Sequence, residues 1–270
     1  MGPGRVLADL MASGFFGVTK LTKIFRQSGG SAIIRNAHRV NAGLLPQRVP
    51  AAPGELADFY WIEQEDPARA AALIETLTAE RIPERFGFDP MQDIQVLSPM
   101  TRGECGTIEL NTRLSARLIG GDAPGFRFGG AEFKLGDRVM QNANNYDKNV
   151  FNGDLGRIVR LDGKSRKFTV GFDDDRFTEY DFDEADQLNL AYAVTIHKSQ
   201  GSEFPAVVIP LLTQHYVMLR RNLLYTGMTR AKKLLILIGG RRAVELAVRD
   251  TRIRPRCSNL AARLAALRGR

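Results

Sequence analysis

The chain has 270 residues, of which 44% are hydrophobic and 25% charged, and its formal net charge is +8 at pH 7. This composition is ordinary for a soluble globular protein with one large domain and a small one. It contains no apolar stretch near the roughly 18 to 20 residues of a membrane span, no secretory signal, and only two cysteines, Cys105 and Cys257. We therefore expect a cytoplasmic protein with no membrane contact, no disulfide framework and no metal site.

Strand and helix signals alternate in the first part of the chain. Ser31 is typical of a helix N-cap, and Gly43 marks the expected end of that helix. Asp66 and Pro67 are a cap and a first-turn proline, which open a helix to about Ala79. This alternation indicates a parallel sheet covered on both faces. Strands are predicted over 18–25, 58–63 and 93–98, and a further helix over 107–118.

The pattern changes between about Gly125 and Tyr180, where short strands are separated by turn signals. Such a meander cannot belong to the parallel sheet, so we interpret it as a small β-barrel inserted in the larger domain. These strands are predicted over 138–141, 156–161, 168–172 and 176–180. The α/β pattern then resumes with an apolar run to Ile196, strands over 207–211 and 234–238, and a helix through Arg230 between them.

The predicted fold class is therefore α/β, a parallel sheet with helices on both faces and an inserted barrel. Residues 1–124 and 188–245 would form the two parts of the sheet domain, and 125–187 the barrel. Residues 246–270 would be a basic tail. A net positive charge is compatible with a polyanionic partner. However, much of the excess lies in arginines after Gly240, which are more typical of a solvated helix or a frayed end.

Arg230 is a candidate for phosphate chemistry. In the predicted helix it lies two positions past Met228 of the apolar stripe, so its side chain leaves on a different side. The preceding turn offers only Thr226 and Gly227, so we expect the guanidinium to have an uncrowded path out of the fold. An arginine held at a cleft places two donors on phosphate oxygens. A surface salt bridge is the ordinary alternative.

The segment around Gly201 is the second candidate. Small residues from Ser199 to Ser202 interrupt two apolar runs and allow backbone to approach a ligand closely. Glu203 is an acceptor suited to a ribose hydroxyl, whereas Thr195 and His197 offer donors to a DNA backbone. A lone histidine is usually structural and a Gly-Ser turn usually only a turn, so both alternatives stay open.

Several segments resemble the RecD/TraA-type branch of superfamily 1 helicases, whose motors contain two RecA-like domains. The similarity covers about Gly2 to Gly239, with the blocks in the expected order. Blocks that resemble the fourth motif and the conserved block after it are Ile24-Phe-Arg-Gln27 with Asn36-Ala-His38, and Val96 to Gly103 with Leu110-Asn111. The block that resembles the inserted Src-homology-3-like barrel is Gly136 to Gln141 with Asn144 to Asp147 and Val150 to Asp154. The blocks that resemble the fifth and sixth motifs are Ala193 to Glu203 and Leu224 to Ala231.

The resemblance implies a second RecA-like domain of a motor that moves 5′→3′ on single-stranded DNA and unwinds the duplex ahead of it. Arg26 and Arg230 would reach the γ-phosphate of ATP, bound with Mg²⁺ mainly by a first RecA-like domain. The implied nucleotide-binding residues are Gln27, Gly201, Ser202 and Glu203. The implied DNA-binding residues are Pro99, Thr101, Arg102, Thr195, His197 and Ser199.

The chain also departs from that family. It contains no Gly-x-x-x-x-Gly-Lys-Ser/Thr loop, no Asp-Glu pair to hold Mg²⁺ and no third-motif glutamine. Met1-Gly-Pro-Gly4 resembles the residues that follow that third motif, so the chain would begin where the first RecA-like domain ends. Asp183-Glu-Ala-Asp186 follows a polar stretch and is interpreted as an acidic turn. Gly163-Lys-Ser165 lacks the preceding glycine and is interpreted as part of a hairpin.

Three functions therefore stay open. The chain could be the C-terminal motor domain of an ATP-dependent DNA helicase, inactive without a first RecA-like domain from an upstream or separate polypeptide. It could instead be a non-enzymatic module that binds single-stranded DNA. It could also be the remnant of a truncated helicase gene. The retained arginines and the Gly-Ser-Glu segment favour the first, because a pure binder would not require them.

Overall fold

The computed structural model describes residues 6–19, 31–48, 55–173, 175–250 and 259–268. The chain divides into two compact units: residues 30–250 form one, and the two ends of the chain form the other. Helices α1 (Val6–Ala12) and α8 (Leu260–Arg268) belong to the second unit. Among the described residues, no helix combines the length and apolarity that crossing a membrane requires.

The larger unit contains the other helices and all the strands that the structure describes. The helices are α2 (Ala32–Asn41), α3 (Pro67–Thr76), α4 (Ile82–Phe86), α5 (Thr107–Ile119), α6 (Arg221–Met228) and α7 (Arg241–Arg249). The strands are β1 (Phe59–Ile62), β2 (Ile94–Ser98), β3 (Gly125–Phe128), β4 (Ala131–Lys134), β5 (Arg138–Gln141), β6 (Leu155–Asp162), β7 (Lys167–Phe172), β8 (Phe177–Asp181), β9 (Leu188–Leu190), β10 (Ala193–Thr195), β11 (Phe204–Pro210) and β12 (Ala231–Ile238).

A five-stranded parallel sheet in the order β1-β12-β11-β2-β10 forms the centre of this unit. Its middle strands are almost entirely buried, and β2 is buried at every position. Near-continuous apolar strands are expected where helices cover both faces of a parallel sheet. The α/β fold class is therefore confirmed.

Helix α2 begins where the sequence predicted. Ser31 is its N-cap and accepts a hydrogen bond from Ile34 N, and Gly43 follows the helix with φ of +83°. Asp58 lies at the same end, where its carboxylate accepts from Ser31 Oγ at 2.6 Å and Ala32 N at 3.1 Å. The carboxylate thus meets unsatisfied N–H groups at the positive end of the helix dipole.

The helix that starts at Pro67 is longer than predicted. Its N-cap at Asp66 is confirmed, but the expected end near Ala79 is wrong. A π-helical turn, Leu77–Arg81, continues directly into α4, which ends at Gly87. Pro83 would interrupt a regular α-helical ladder, and the wider turn carries the chain past this point.

The inserted region forms a second, antiparallel sheet in the order β8-β7-β6-β5-β9. The hairpin β3-β4, which the sequence did not predict, packs on it through Phe126, whose ring stacks on Phe182 with centroids 4.0 Å apart.

The interpretations of Asp183-Glu-Ala-Asp186 as an acidic turn and of Gly163-Lys-Ser165 as part of a hairpin are confirmed. The acidic string lies in a 3₁₀ helix, Phe182–Gln187, with Asp183 exposed, and Gly163 lies in the turn between β6 and β7.

Neither the predicted strand 18–25 nor the predicted domain boundaries are confirmed. Val18 and Thr19 have no regular structure, and the rest of the predicted strand 18–25 lies outside the described residues. The domain boundaries after residues 124, 187 and 245 remain predictions. Packing does continue past residue 245, because Ala247 and Val248 of α7 are buried.

A buried carboxylate joins the inserted region to the sheet domain. Asp137 Oδ1 accepts hydrogen bonds from Ser115 of α5 at 2.7 Å and from the Tyr192 hydroxyl at 2.8 Å. Its Oδ2 accepts from Lys134 N at 2.6 Å. Asp137 is fully buried, and this burial raises the pKa of its carboxyl above the ordinary value. Three separate segments therefore share one acceptor group.

We predict that Asp137→Ala lowers the free energy of unfolding by about 3 kcal/mol, because it leaves three buried donors without an acceptor. Urea denaturation of the purified chain measures this change. Asp183→Ala is the matched control, because its carboxylate is exposed and its ion pair with Arg166 is worth less than about 1 kcal/mol. If Asp137→Ala lowered the free energy of unfolding by less than about 1 kcal/mol, the buried carboxylate would not be an important link between the inserted region and the sheet domain.

The buried side chain of His215 makes the stability of the fold fall at acidic pH. It is 1% exposed, its Nδ1 accepts from Leu212 N at 3.2 Å, and burial lowers its pKa from 6.5 to about 4. The unfolded chain therefore takes up a proton at higher pH than the folded one. Stability from this group is complete above pH 6.5 and is lost as the pH falls towards 4.

We predict that His215→Asn removes this dependence, because the amide oxygen can accept from Leu212 N but does not titrate. Between pH 6.5 and 4, wild-type unfolding free energy should fall by about 3 kcal/mol more than that of the variant. Urea denaturation at several pH values measures the difference. Parallel stability curves for the two proteins would exclude His215 as the titrating group.

Candidate functional site

The predicted site residues that the structure describes lie at two opposite edges of the parallel sheet. Thr195 pairs with Ser98 at the carboxyl ends of β10 and β2. Phe204 pairs with Ala231 at the amino ends of β11 and β12. Since the strands are parallel, residues that follow Ser98 and Thr195 emerge at one edge, and residues that precede Phe204 and Ala231 lie at the other. The predicted DNA-binding residues and the predicted nucleotide-binding residues therefore lie at different edges of the sheet.

The turn between Thr195 and Phe204 runs from the first edge to the second. Ser199 anchors it, since its hydroxyl donates to Ile196 O at 2.8 Å and its side chain is buried. Ser202 N donates to Ser199 O at 3.1 Å. Gly201 adopts φ of +94°, a conformation that residues with a side chain rarely adopt. A tight backbone turn without a helix thus links the two edges.

Arg230 lies at the amino edge, but not in a helix. Helix α6 ends at Met228, so the prediction of a helix through Arg230 is wrong. Arg230 N donates to Gly227 O, and the next residue, Ala231, already pairs in the sheet. The strand therefore stops the helix two residues earlier than the local sequence indicated.

The guanidinium of Arg230 is held at three points. Its Nε donates to Thr226 O at 3.1 Å, Nη1 to Ser202 O at 3.0 Å, and Nη2 to Thr229 Oγ1 at 3.1 Å. The side chain is partly buried. The expectation of an uncrowded path out of the fold is therefore wrong, because the end of α6 and the Gly201 turn both contact the guanidinium.

All three acceptors of this guanidinium are neutral. Within the described ranges, no carboxylate lies within ion-pair distance of Arg230. The carbonyl of Thr226 belongs to the last turn of α6, where the negative end of the helix dipole stabilises a cation. The arrangement fixes the side chain and leaves its positive charge uncompensated by a formal negative charge.

Glu203 directly follows Ser202, whose carbonyl accepts from this guanidinium. Its carboxylate is 25% exposed and lies 3.6 Å from Lys232 Nζ in β12. The neighbouring backbone is fixed, because Phe204 N donates to Arg230 O at 2.9 Å. Lys232 was not among the predicted site residues. The sequence did contain a signal for Lys232: it lies two residues after Arg230 at the start of a strand. Alternate residues of a strand share a face, so Lys232 could have been expected on the same side as Arg230.

At the carboxyl edge, the loop after β2 is closed tightly on itself. Ser98 Oγ donates to Cys105 O at 2.6 Å, and a Cβ on Gly106 would lie 2.5 Å from the carbonyl carbon of Arg102. This closure leaves Thr101 and Arg102 exposed. The backbone of Arg102 lies so close to position 106 that only glycine fits there.

The remaining predicted DNA residues differ in exposure. His197 is exposed and Thr195 is partly exposed, whereas Pro99 and Ser199 are buried. The side chains of those two shape the loops instead of facing solvent. Lys198 is exposed, and its Nζ donates to Asn142 Oδ1 at 2.7 Å, which ties the turn to the inserted region.

Arg26 and Gln27 lie outside the described residues. Within the described ranges, no group of three or more His, Cys, Asp or Glu side chains is placed to hold a metal ion.

Two family models match the chain. Residues 190–238 match the UvrD-like helicase C-terminal domain, and residues 110–172 match the SH3 domain of ATP-dependent RecD-like DNA helicases. The first match contains both the Gly201 turn and Arg230. The ATP-dependent RecD2 DNA helicase of Deinococcus radiodurans is 36% identical over 228 residues, which are 84% of this chain. The chain matches the C-terminal part of RecD-type superfamily 1 helicases.

Other RecD-type proteins are more distant. The RecBCD enzyme subunit RecD of Mycolicibacterium smegmatis is 27% identical over 266 residues, which are 93% of this chain. The chain spans only 29% of the Deinococcus relative and 45% of the Mycolicibacterium relative. A solved structure of Pif1 helicases at forked double-stranded DNA is 19% identical, with a TM-score of 0.48 over 80% of this chain and 49% of that one. That similarity is too weak to support an argument.

Proposed function

We propose that this chain is the C-terminal motor domain of an ATP-dependent 5′→3′ DNA helicase, which couples unwinding and translocation to ATP hydrolysis in the cytoplasm. It would supply the arginine fingers Arg26 and Arg230 and contacts to single-stranded DNA at a duplex junction. A first RecA-like domain would hold most of the ATP and its Mg²⁺. The chain itself lacks the loop that cradles phosphates, so it would not hydrolyse ATP alone.

The observation that carries this proposal is the setting of Arg230. Neutral groups hold its guanidinium in place, and one of them, Ser202 O, belongs to the Gly201 turn that contains the other implied nucleotide-binding residues. A fixed, uncompensated guanidinium is what stabilises the charge that develops on a phosphoryl group during transfer. A cation supplied in this way accelerates hydrolysis by roughly three to five orders of magnitude in related enzymes.

The nucleotide would meet this chain at the amino edge of the sheet. Glu203 would accept a hydrogen bond from a ribose hydroxyl, and Gly201 and Ser202 would let the backbone approach it. MgATP would supply the phosphoanhydride bond that is hydrolysed.

Single-stranded DNA would meet the opposite edge. Arg102, Thr101 and His197 are the exposed donors there, and they suit phosphate oxygens. Pro99, Thr195 and Ser199 would shape that surface. The turn from Thr195 to Phe204 touches both edges, so a movement caused by the nucleotide would reach the DNA contacts through a short, rigid backbone segment.

A non-enzymatic single-stranded DNA-binding module is the second candidate, and a remnant of a truncated helicase gene is the third. The exposed donors at the carboxyl edge favour the binding module, because such contacts require no ATP. The position of Arg230 argues for the motor, because its guanidinium lies against the Gly201 turn, at the edge opposite the DNA contacts.

We predict that the chain alone shows no appreciable ATP hydrolysis, and that fusing it to a first RecA-like domain of the family gives DNA-stimulated hydrolysis. In that fusion, Arg230→Ala should lower kcat by about 10³-fold or more while the Kd for single-stranded DNA stays within about threefold. Arg241→Ala is the control, because that exposed arginine pairs with Glu245. Near-normal hydrolysis by the Arg230 variant would remove its finger role.

We also predict weak single-stranded DNA binding by the chain alone that falls as salt rises. Arg102→Ala should weaken it and reduce the slope of log K against log salt by about 0.7, the value for one lost phosphate contact on a single strand. Arg127→Ala on the hairpin β3-β4 is the control, since that arginine is equally exposed but lies in the inserted region. Fluorescence anisotropy at several salt concentrations measures the slope, and a slope unchanged by Arg102→Ala would exclude the contact.

A further inference from the structure

The hydroxyl of Thr229 occupies a defined place between two groups. It donates to Thr226 O at 3.0 Å and accepts from Arg230 Nη2 at 3.1 Å. A threonine hydroxyl has one hydrogen, and this one is directed to the carbonyl. Its lone pairs are therefore left to face the guanidinium, so Thr229 meets Arg230 only as an acceptor.

The same carbonyl also accepts from Arg230 Nε at 3.1 Å. Thr226 O would pair with the N–H four residues ahead if α6 continued, but Arg230 N donates to Gly227 O instead. Thr226 O is thus one of the orphan acceptors at a helix end. The end of α6 supplies a carbonyl and a hydroxyl, and these two acceptors bind two of the three guanidinium nitrogens.

The third nitrogen is bound across the fold by Ser202 O. A guanidinium has five N–H donors, so these three bonds leave one hydrogen on each of Nη1 and Nη2. Two such donors suit the two-point recognition of a phosphate. Without the Thr229 contact, the plane of the guanidinium would be fixed only by two carbonyls, and Nη2 would lose its single protein partner within the described residues.

We propose that Thr229 is a positioning residue for the Arg230 guanidinium, whose hydroxyl sets the plane in which the two remaining donors approach the phosphate. This inference rests on the proposed function for its catalytic consequence. The geometric part, a guanidinium oriented by a hydroxyl, holds for the chain alone.

The variants are Thr229→Val, which keeps the shape and removes the hydroxyl, and Thr229→Ser, which restores it. Thr76→Val is the control: it also removes a threonine hydroxyl that donates to a carbonyl of its own helix, Ala72 O of α3, and that hydroxyl does not contact Arg230. In the fusion with a first RecA-like domain, Thr229→Val should lower kcat by about tenfold to a hundredfold. The KM for ATP and the Kd for DNA should stay within about twofold. Thr229→Ser and Thr76→Val should match the wild type.

Nuclear magnetic resonance of the chain alone tests the geometry without catalysis. In the wild type and in Thr76→Val, the Nη signals of Arg230 should be distinct, because hydrogen bonds slow rotation of the guanidinium. In Thr229→Val they should broaden or merge. Freely averaged signals in the wild type would overturn the proposal. So would an unchanged kcat for Thr229→Val where Arg230→Ala abolishes hydrolysis. If Arg230→Ala leaves hydrolysis intact, the finger itself fails, independently of the Thr229 geometry.

Discussion

The hydrogen bonds of the Arg230 guanidinium join the parts of the chain on which the proposed function depends. One acceptor lies in the Gly201 turn, and the other two lie at the end of α6. These segments are brought together by the pairing of β11 with β12, whose first residues, Phe204 and Ala231, are register partners. The position of the guanidinium therefore depends on sheet register as well as on the end of α6.

The turn between β10 and β11 connects the two edges of the sheet directly. Between parallel strands, a helical crossover is the usual connection, but β10 and β11 are linked by a turn without one. The buried Ser199 hydroxyl and the left-handed Gly201 keep that turn short. Under the proposed function, this turn would be the most direct path from the nucleotide to the DNA contacts.

Local signals in the sequence predicted much of the fold, and long-range contacts account for the errors. The N-caps at Ser31 and Asp66 were predictable, because a cap depends on residues three positions away. The end of α6 was not, because strand pairing with distant Phe204 stops it. The joint at Asp137 was also missed, since its partners lie 22 and 55 residues away. For the site, the sequence identified Arg230 and the Gly201 turn, but neither the acceptors of the guanidinium nor the burial of Pro99 and Ser199.

Under the proposed finger role, the neutral setting of Arg230 would involve a compromise between stability and function. A carboxylate beside Arg230 would bind the guanidinium more strongly, because it would add an ion pair and two parallel hydrogen bonds. It would also cancel the charge that a phosphate needs to meet, and that phosphate would have to displace it. Two carbonyls and a hydroxyl restrict the side chain's motion while the helix dipole adds a modest favourable potential. The arrangement therefore gives up some binding energy within the fold and keeps the guanidinium both oriented and fully charged.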